Sequence, residues 1–413
     1  MIRRSPSRWL GPPGPSRRLL SATLVESIGN GCFVGTSVIY FTSSVGLPAA
    51  AVGFAMTIAG AAALAAGVPL GVVADRFGAQ RVLVLALLLQ GIATALLATV
   101  ASVYSYALLA TATAVVDRAA YAARGALMAE VFTAERVKSR ARMRVMSNVG
   151  FTVGGALGGV ALQVDTTAFY RTVIGLNAAA FLVSALLATG LPSVPARRSS
   201  SDRPRVMVLR DRPFLAVTAV NALICVHYGL FEVAMPLWIV EHTSAPRWLV
   251  SVLFIGNTVM VVLFQVRLSH DSEDIPGGTR ALRRAGVLIF VAAAGFAAAA
   301  LMPAWAAATV LVLAGAVYVV AEMLQSAGSW GLSYTLAPED RHGEYQGAFG
   351  SGTSAGLTLA PLVATSLVIA DGGWGWIVAG GLLLIATLVM TPLANTALRA
   401  KQASAGEPAH AAA

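Results

Sequence analysis

Charged residues are scarce in this chain, and their scarcity excludes an ordinary soluble protein. Only 12% of the 413 residues are Asp, Glu, Lys or Arg, while 57% are hydrophobic. Soluble domains are about 25% charged and about 45–50% apolar, so there is too little polar surface to coat the two or three soluble domains that the length would suggest. Apolar runs of about 20 residues recur, and each is long enough to cross a bilayer as a helix. The composition therefore predicts a protein that spans a membrane many times.

Cysteines and catalytic motifs are also lacking. Cys32 and Cys225 are the only cysteines, and each lies alone in an apolar run, so neither a disulfide framework nor a cysteine metal site can be built from them. A phosphate-binding loop and the metalloprotease pattern HExxH are absent, and the five histidines are scattered. We therefore expect no organic cofactor, no metal and no enzymatic activity. A membrane-embedded enzyme is only a distant alternative.

The few charges that are present lie mostly in loops and alternate from loop to loop. Clusters of arginine occupy one set of loops, at 76–81, 136–144, 197–212 and 280–284. The loops on the other side are nearly bare of charge, and those at 43–48, 101–105 and 301–304 carry none. Because cytoplasmic loops of membrane proteins are rich in basic residues, this alternation predicts that the basic loops and both termini are cytoplasmic. It also explains the net charge of +10 by membrane topology, so we expect no nucleic-acid partner.

The spans fall into two halves of about six, separated by a loop rich in Pro, Ser and Arg. The halves resemble each other weakly, since aligning Arg136 with Arg341 places Asp117 over Glu322. Internal repeats of this kind are typical of transporters. The sequence thus predicts an all-α membrane protein of twelve transmembrane helices in two pseudo-symmetric six-helix bundles. The predicted parts are a cytoplasmic N-terminal tail, a first bundle, a cytoplasmic linker, a second bundle and a cytoplasmic C-terminal tail, at 1–18, 19–190, 191–213, 214–397 and 398–413.

A compact charged segment, GVVADRFGAQR at 71–81, lies in the loop between the second and third spans. It resembles the loop signature of the major facilitator superfamily, G-x-x-x-D-[RK]-x-G-x-[RK]-[RK], through Gly71, Asp75, Arg76, Gly78 and Arg81. The resemblance implies a major facilitator fold and transport by alternating access, with this loop bridging the two halves when the cytoplasmic side is closed. We therefore expect these five residues to form a conformational latch, whose partner is the start of the eleventh span near 343–346. The alternative is a tight hairpin whose arginines only set the topology.

A second resemblance lies in the fifth span, in the segment GFTVGGALGG at 150–159. It is similar to G-x-x-x-G-P-x-x-G-G, a signature of the exporter branch of the superfamily, through Gly150, Gly154, Gly158 and Gly159. Gly155 stands at the proline position. The resemblance implies a bacterial drug/proton antiporter, or multidrug exporter. The spacing by itself predicts that the four glycines let two helices pack backbone to backbone.

Four acids interrupt the apolar spans, namely Glu26 in the first, Asp117 in the fourth, Glu232 in the seventh and Glu322 in the tenth. Ionisable residues at membrane depth are costly and usually functional, and the resemblance implies that these four spans line the central cavity. Gaining or losing a proton changes the cost of burying a carboxyl group, which can bias an inward–outward equilibrium. We therefore expect Asp117 and Glu26 to lead the proton coupling, with Glu232 and Glu322 as further proton sites or as ligands of a cationic substrate. The alternative is that structural arginines such as Arg124 or Arg144 neutralise each acid.

Polar and aromatic side chains near these acids are the candidate lining of a substrate cavity. They are Asn30, Arg118, Tyr121, Asn221, His227, Tyr228 and Gln325. Arg118 resembles the buried arginine of the superfamily's fourth-span motif, and for His227 the alternative is a satisfied polar group inside the protein. Because neighbours on a helix point about 100° apart, we expect Asp117 and Arg118 not simply to pair with each other.

The sequence as a whole predicts a secondary active transporter, a proton-coupled exporter of small amphipathic drug-like or metabolite molecules. A proton-coupled importer of a small nutrient is the alternative. The expected energy source is the proton gradient, and the expected partners are a small-molecule substrate, protons and the lipid bilayer, with the chain acting as a monomer. Lys138 and Lys401 are the only lysines among 29 basic residues. This usage suggests a GC-rich bacterial genome and hence the bacterial cytoplasmic (inner) membrane.

Overall fold

Twelve long helices make up most of the part of the chain that the structure describes. The computed structural model describes residues 14–132, 135–193, 206–369 and 373–406, and within these ranges it contains helices and no strands. The helices are α1 Pro15–Ser44, α2 Ala49–Phe77, α3 Ala79–Leu97, α4 Val103–Val131, α5 Arg136–Val164, α6 Thr167–Thr189, α7 Arg212–His242, α8 Leu249–Leu268, α9 Ile275–Ala299, α10 Ala304–Leu336, α11 His342–Ile369 and α12 Gly373–Gly406. The predicted all-α fold with twelve spans is therefore confirmed.

Parts of the predicted tails and linker lie outside the described residues, namely 1–13, 194–205 and 407–413. Within the described part, α12 continues to Gly406, beyond the predicted end of the second bundle at 397. Lys401 holds this extension, because its Nζ donates hydrogen bonds to the carbonyl oxygens of Thr335 at 2.7 Å and Ala337 at 2.8 Å. The segment 398–406 is thus a continuation of the last helix.

The helix α4 differs from the others in its charge. Eleven of the twelve helices are long and apolar enough to cross a membrane by length and composition, and α4 is the exception. It has 29 residues, which is ample length, but it carries Asp117, Arg118 and Arg124 within its apolar sequence. Charged side chains in a membrane-spanning helix need partners inside the protein, so α4 is the first place to look for function.

The chain divides into two compact units, each with its own core. The first unit comprises Met1–Val206 together with Glu339–Ser351, which includes the start of α11. Aromatic side chains such as Tyr40 and Tyr170 are buried in one of its clusters. The second unit comprises Met207–Pro338 and Gly352–Ala413. Its core is built around large side chains that include Trp238, Phe296 and Trp376.

Glycines let α5 lie directly against α1. A Cβ atom at Gly150, Gly154 or Gly158 would come within 3.0 Å of an atom of α1, so none of these positions has room for a side chain. The prediction for Gly159 is wrong, because a Cβ atom there would meet no atom within 4 Å. In a helix of 3.6 residues per turn, positions four apart share one face, whereas Gly159 is turned about 100° away from Gly158. Three of the four glycines therefore pack α5 onto α1.

Irregular segments of α7 and α11 lie side by side in the second unit. α7 is interrupted at Val226 and then forms a π-helical segment at Leu230–Ala234, and α11 ends in another at Ala364–Ile369. Gly229 permits the close approach, since a Cβ atom there would lie 2.6 Å from the carbonyl carbon of Ala360. π-Helical segments are rare and are frequently found at functional sites. A π-helical turn holds more residues than an α-helical turn. The side chains that follow the interruption of α7 therefore point in directions different from those they would have in a regular α-helix.

Gly154→Ala should destabilise the protein, whereas Gly155→Ala should not. The methyl group added at 154 overlaps the backbone of α1, and overpacking of this kind typically costs about 1–3 kcal/mol. A Cβ atom at Gly155 meets no atom within 4 Å, and alanine favours a helix over glycine by about 0.5–1 kcal/mol, so this neighbour is a matched control. Midpoints of thermal denaturation in one detergent measure the difference. Equal midpoints for the two variants would contradict the packing of α5 on α1.

Candidate functional site

An ion pair joins α1 and α4 in the first unit. Arg124 Nη2 donates a hydrogen bond to Glu26 Oε2 at 2.5 Å, and the two side chains are 16% and 9% exposed. Asn30, one turn further along α1, is half-buried. Glu26 therefore has the arginine partner that the neutralisation alternative requires. Removing one partner of so buried a pair leaves an uncompensated charge, which is strongly destabilising.

Asp117 and Arg118 form a second ion pair, and the expectation that these neighbours would not pair is wrong. Arg118 Nη2 donates a hydrogen bond to Asp117 Oδ2 at 2.6 Å. The angle of about 100° separates only the directions in which the side chains leave the helix, and the long arginine side chain bends back across it. The Asp117 side chain is 40% exposed, against 9% for Glu26. The protein therefore covers much less of the Asp117 side chain than of the Glu26 side chain.

Tyr121 lies between two guanidinium groups. Those of Arg118 and Arg140 lie 5.4 Å and 4.9 Å from the centre of its ring, within the range of cation–π attraction. Gly350 leaves room for the ring, since a Cβ atom at that position would overlap it. The sequence assigned Arg140 only to a basic loop, but the structure adds it to this cluster. Because Arg118 contacts both Asp117 and Tyr121, the charge of Asp117 is linked to the surroundings of the ring.

Asp75 contacts the start of α11, which is the partner expected from the sequence. Its Oδ1 accepts a hydrogen bond from the backbone N–H of Gly343 at 2.6 Å, and its Oδ2 accepts one from that of Glu344 at 2.7 Å. The first N–H groups of a helix have no partner within the helix and carry a partial positive charge, so a carboxylate stabilises them. Gly71 makes the approach possible, because a Cβ atom there would overlap the backbone of Gly343.

The other latch residues shape the turn between α2 and α3. Gly78 has φ = +94°, a value that favours glycine, and its N–H ends α2 by donating to the carbonyl oxygen of Ala74 at 3.0 Å. Arg76 and Arg81, which were also expected to belong to the latch, are exposed. The segment thus combines a tight turn with the carboxylate that binds α11.

The two acids of the second unit have different surroundings. Glu322 of α10 is 5% exposed, and its Oε2 accepts a hydrogen bond from Asn257 Nδ2 of α8 at 2.7 Å. Glu232 lies in the π-helical segment of α7 and is exposed. Sequence reasoning missed Asn257, although a lone asparagine in an apolar span is the kind of signal that marks an intramembrane partner. An amide therefore supports the buried carboxyl group of Glu322.

Three of the residues predicted to line a cavity are instead enclosed in the second unit. Asn221, His227 and Gln325 are 1%, 0% and 2% exposed, so none of them presents a surface to open space here. Polar groups at membrane depth must find their partners within the protein, and these three belong to a buried series of hydrogen bonds among α7, α10 and α11. Tyr228 is half-buried, and its hydroxyl oxygen lies 3.3 Å from Ser326 Oγ.

Two members of this series, Tyr318 and Ser329 of α10, were missed by sequence reasoning. Tyr318 OH lies 2.7 Å from His227 Nδ1, and Ser329 Oγ donates to Asn221 Oδ1 at 2.6 Å. Polar residues recur on α10 at 318, 322, 325, 326, 329 and 333. Spacings of three and four place them on one face of a helix, so this pattern could have revealed the buried polar stripe.

The described residues contain no arrangement that points to a catalytic metal or a hydrolase. Among them there is no group of three or more His, Cys, Asp or Glu side chains that could hold a metal ion. The pattern G-x-S-x-G occurs at 352–356, but it lies inside α11, whereas the nucleophile of hydrolases sits at a sharp turn between a strand and a helix. Gly352 and Gly356 instead face α7, where they leave no room for a Cβ atom.

Comparisons with known proteins match this chain to membrane transporters. The family model described as Major Facilitator Superfamily matches residues 19–330. The uncharacterized MFS-type transporter YdeE of Escherichia coli (strain K12) is 24% identical over 357 residues, which are 84% of this chain and 87% of YdeE. The human organic anion transporter MFSD10 (TETRAN) aligns with a TM-score of 0.70 at 15% identity, over 94% of this chain and 100% of that one. A bacterial homologue of the iron transporter ferroportin, in an outward-facing state, aligns with a TM-score of 0.72 at 13% identity, over 92% and 98%.

Asp75→Asn should loosen the start of α11. Asparagine keeps one acceptor oxygen and has no charge, so one of the two N–H groups loses its partner, at a cost of about 1.5–3 kcal/mol for a hydrogen bond to a charged group. Hydrogen–deuterium exchange of the amides at 342–346 should therefore become roughly 10–100-fold faster. Asp274→Asn is the matched control, because Asp274 accepts a single backbone N–H at the start of α9 and asparagine caps a helix equally well. Unchanged exchange at 342–346 in Asp75→Asn would contradict the latch geometry.

Removing one charge of the Glu26–Arg124 pair should destabilise the protein more than removing both. Glu26→Gln and Arg124→Gln each leave one buried charge without its partner, which typically costs about 3–5 kcal/mol. The double variant leaves two neutral side chains that can still form a hydrogen bond. Thermal denaturation of the single and double variants forms a double-mutant cycle. If the loss of stability in the double variant equals the sum of the losses in the two single variants, the two charges do not stabilise each other.

Proposed function

The chain belongs to the Major Facilitator Superfamily and is a secondary transporter of a small-molecule substrate, and we propose that it is a proton-coupled exporter of small amphipathic molecules. It is a multi-pass membrane protein and not an enzyme. The proposed setting is the bacterial cytoplasmic membrane, with both termini in the cytoplasm and the chain working as a monomer. The proton gradient supplies the energy.

The observation that carries this proposal is the accessible ion pair of Asp117 and Arg118 on α4. A carboxylate in a membrane-spanning helix is costly, and the Asp117 side chain is 40% exposed. In our proposal its uncovered side faces the transport pathway, where protons and solutes reach it. Glu26 is enclosed by its pair with Arg124. We therefore assign proton coupling to Asp117 and assign to Glu26 the role of anchoring α1 to α4.

Proton binding at Asp117 changes what Arg118 contacts. The charged carboxylate holds the guanidinium at 2.6 Å, and a proton removes that Coulomb attraction. Arg118 then keeps its contact with the ring of Tyr121. A cationic group of the substrate competes with the proton for the same carboxylate. Binding one and releasing the other in opposite conformations exchanges substrate for protons.

Asp75 supplies the conformational element of the proposed cycle. Its hydrogen bonds to the amides of Gly343 and Glu344 hold the start of α11 against α2. These bonds must break whenever the start of α11 leaves α2, so they stabilise one state of the cycle only. A ligand shifts such an equilibrium only by the difference between its affinities for the two states, and the proton and the substrate provide that difference.

Support for export and for a basic substrate comes from different parts of the chain. The series Gly150, Gly154 and Gly158, which resembles the exporter signature, holds α5 against α1. MFSD10 is an organic anion transporter and ferroportin an iron transporter, so proteins with this fold carry chemically different substrates. The substrate class proposed here rests instead on the accessible carboxylates of Asp117 and Glu232, which attract cationic amphipathic molecules.

Asp117→Asn should abolish proton-driven movement of substrate while the protein stays folded and inserted. In everted membrane vesicles with an acidic interior, an exporter carries its substrate inward in exchange for protons. The assay uses a panel of lipophilic cations with tetraphenylphosphonium as the first probe. Because that ion has no titratable group, an acidic interior does not trap it as it would trap a weak base. The unchanged protein should accumulate the probe, and Asp117→Asn should fall to the level of vesicles that lack the protein.

Asp165→Asn is the matched control for this experiment. Asp165 lies between α5 and α6 with φ = +44°, a backbone conformation in which Asp and Asn are enriched, and it takes no part in the ion pairs of α4. Its uptake should equal that of the unchanged protein. Gradient-driven uptake that survives in Asp117→Asn would refute Asp117 as the coupling acid. Probe driven out of the vesicles instead of into them would replace export by import.

A further inference from the structure

His227 is enclosed beside the interruption of α7. Its side chain is 0% exposed, and its ring stacks on Tyr228 with centroids 4.2 Å apart. Nδ1 lies 2.7 Å from Tyr318 OH, and Nε2 makes a longer contact of 3.4 Å with Gln325 Oε1. Both ring nitrogens therefore face polar atoms of α10. What those atoms can donate or accept decides which protonation states of the ring fit.

The neighbours of Gln325 determine which end of its amide faces the histidine. Gln325 Nε2 donates to Ser329 Oγ at 3.0 Å, and Ser329 gives its single proton to Asn221 Oδ1 at 2.6 Å. Asn221 Nδ2 in turn donates to Thr353 Oγ1 at 3.2 Å. With Asn221 and Ser329 in this arrangement, a reversed Gln325 amide would bring two acceptors face to face at Ser329. In this arrangement the carbonyl oxygen of Gln325 faces His227, and it can only accept a hydrogen bond.

Neutral and protonated His227 both satisfy these partners. In the neutral ring, Nε2–H donates to Gln325 Oε1 and Nδ1 accepts the hydroxyl proton of Tyr318. In the protonated ring, Nδ1–H donates to the hydroxyl oxygen of Tyr318, whose own proton turns to the backbone carbonyl oxygen of His227, 3.1 Å away. The ring gains one proton, one hydroxyl group rotates, and every polar atom keeps a partner. A buried histidine with partners for one form only would be locked in that form.

Carboxyl groups of both helices lie one turn away from this arrangement. Glu322 follows Tyr318 by four residues on α10, and Glu232 follows His227 by five on α7, where a π-helical turn spans about five residues. Cys225, Tyr228, Asn257 and Thr353, which form hydrogen bonds with other polar groups of these helices, are uncharged at neutral pH.

We propose that His227 is a proton-binding site of the second unit, formed by α7 and α10 and distinct from the acids of the first unit. Protonation makes the bonds from His227 to Tyr318 and Gln325 charge-assisted, and such bonds are about twice as strong as neutral ones. Proton uptake therefore tightens α7 on α10 at the interruption of α7. The role of this tightening in transport rests on the proton-coupled function proposed above, whereas protonation of the ring is measured separately.

Nitrogen-15 NMR tests the site on the full-length protein, labelled with [15N]histidine and held in lipid nanodiscs. A neutral ring gives one protonated and one bare nitrogen, and an imidazolium ring gives two protonated nitrogens. His227→Gln identifies the signals of His227 among the five histidines; if that variant does not fold, replacing the other four in turn identifies them by elimination. We expect the Nε2–H form at the alkaline end of a pH series and imidazolium at its acidic end. One neutral form at every pH at which the protein stays folded would overturn the proposal.

Tyr318→Phe tests the hydroxyl group that makes both states possible. Phenylalanine keeps the packing but removes the partner of Nδ1, and the charged ring loses the stronger bond. At a fixed pH the ratio of imidazolium to imidazole at His227 should therefore fall by roughly three- to tenfold. Tyr40→Phe is the matched control, because Tyr40 is equally buried and its hydroxyl donates to the carbonyl oxygen of Ala98 in the first unit. An equal ratio in the two variants would overturn the proposal.

Different experiments would refute the proton site at His227 and the proposed function. The NMR measurement needs neither a substrate nor a proton gradient. A titrating His227 together with gradient-independent uptake would refute proton-coupled export and retain the proton site. A His227 that stays neutral together with gradient-driven uptake would retain the function and refute the site.

Discussion

A charge inside a membrane-spanning helix must find its partner within the protein, because lipid offers none. In the first unit, arginines of α4 meet this requirement, with Arg124 on Glu26 and Arg118 on Asp117. In the second unit, the partner of the buried Glu322 is an amide, that of Asn257. The two solutions have different consequences. When a proton binds the carboxylate of an ion pair, the attraction between the two charges is lost. When a proton binds within a series of amides and hydroxyl groups, hydroxyl groups rotate and the hydrogen bonds reverse their direction.

The backbone meets a related constraint through small residues. Helices in a membrane approach closely where side chains are absent, and α5 contacts α1 in this way through Gly154 and its neighbours one turn away. The same principle brings Gly71 against the start of α11, where Asp75 reaches the free N–H groups of the helix. Tight packing thus places the carboxylate of Asp75 beside the free N–H groups at the start of α11. The hydrogen bonds between them form only while the start of α11 lies against α2.

The fold could be predicted from the sequence because bilayer thickness sets the length of each apolar run. The partner of Asp75 could be predicted because the segment around it resembles a known signature. Side-chain partners could not be predicted in the same way. The pairing of Asp117 depends on how one arginine side chain bends, and the failure at Gly159 depends on which of two adjacent glycines faces α1. The pairing of Tyr318 with His227 depends on how α10 packs beside α7, and the spacing of residues along the sequence does not give that arrangement.

The most direct test of the account is to count the protons released when a substrate binds to the purified protein. The full-length transporter, in weakly buffered detergent solution, is titrated with tetraphenylphosphonium or another permanently charged cation that it carries. If a proton and a cation compete for Asp117, binding should release up to one proton per bound cation, with the fraction rising as the pH is lowered, and Asp117→Asn should release none. Binding that releases no proton at any pH, or an identical release from Asp117→Asn, would contradict the account.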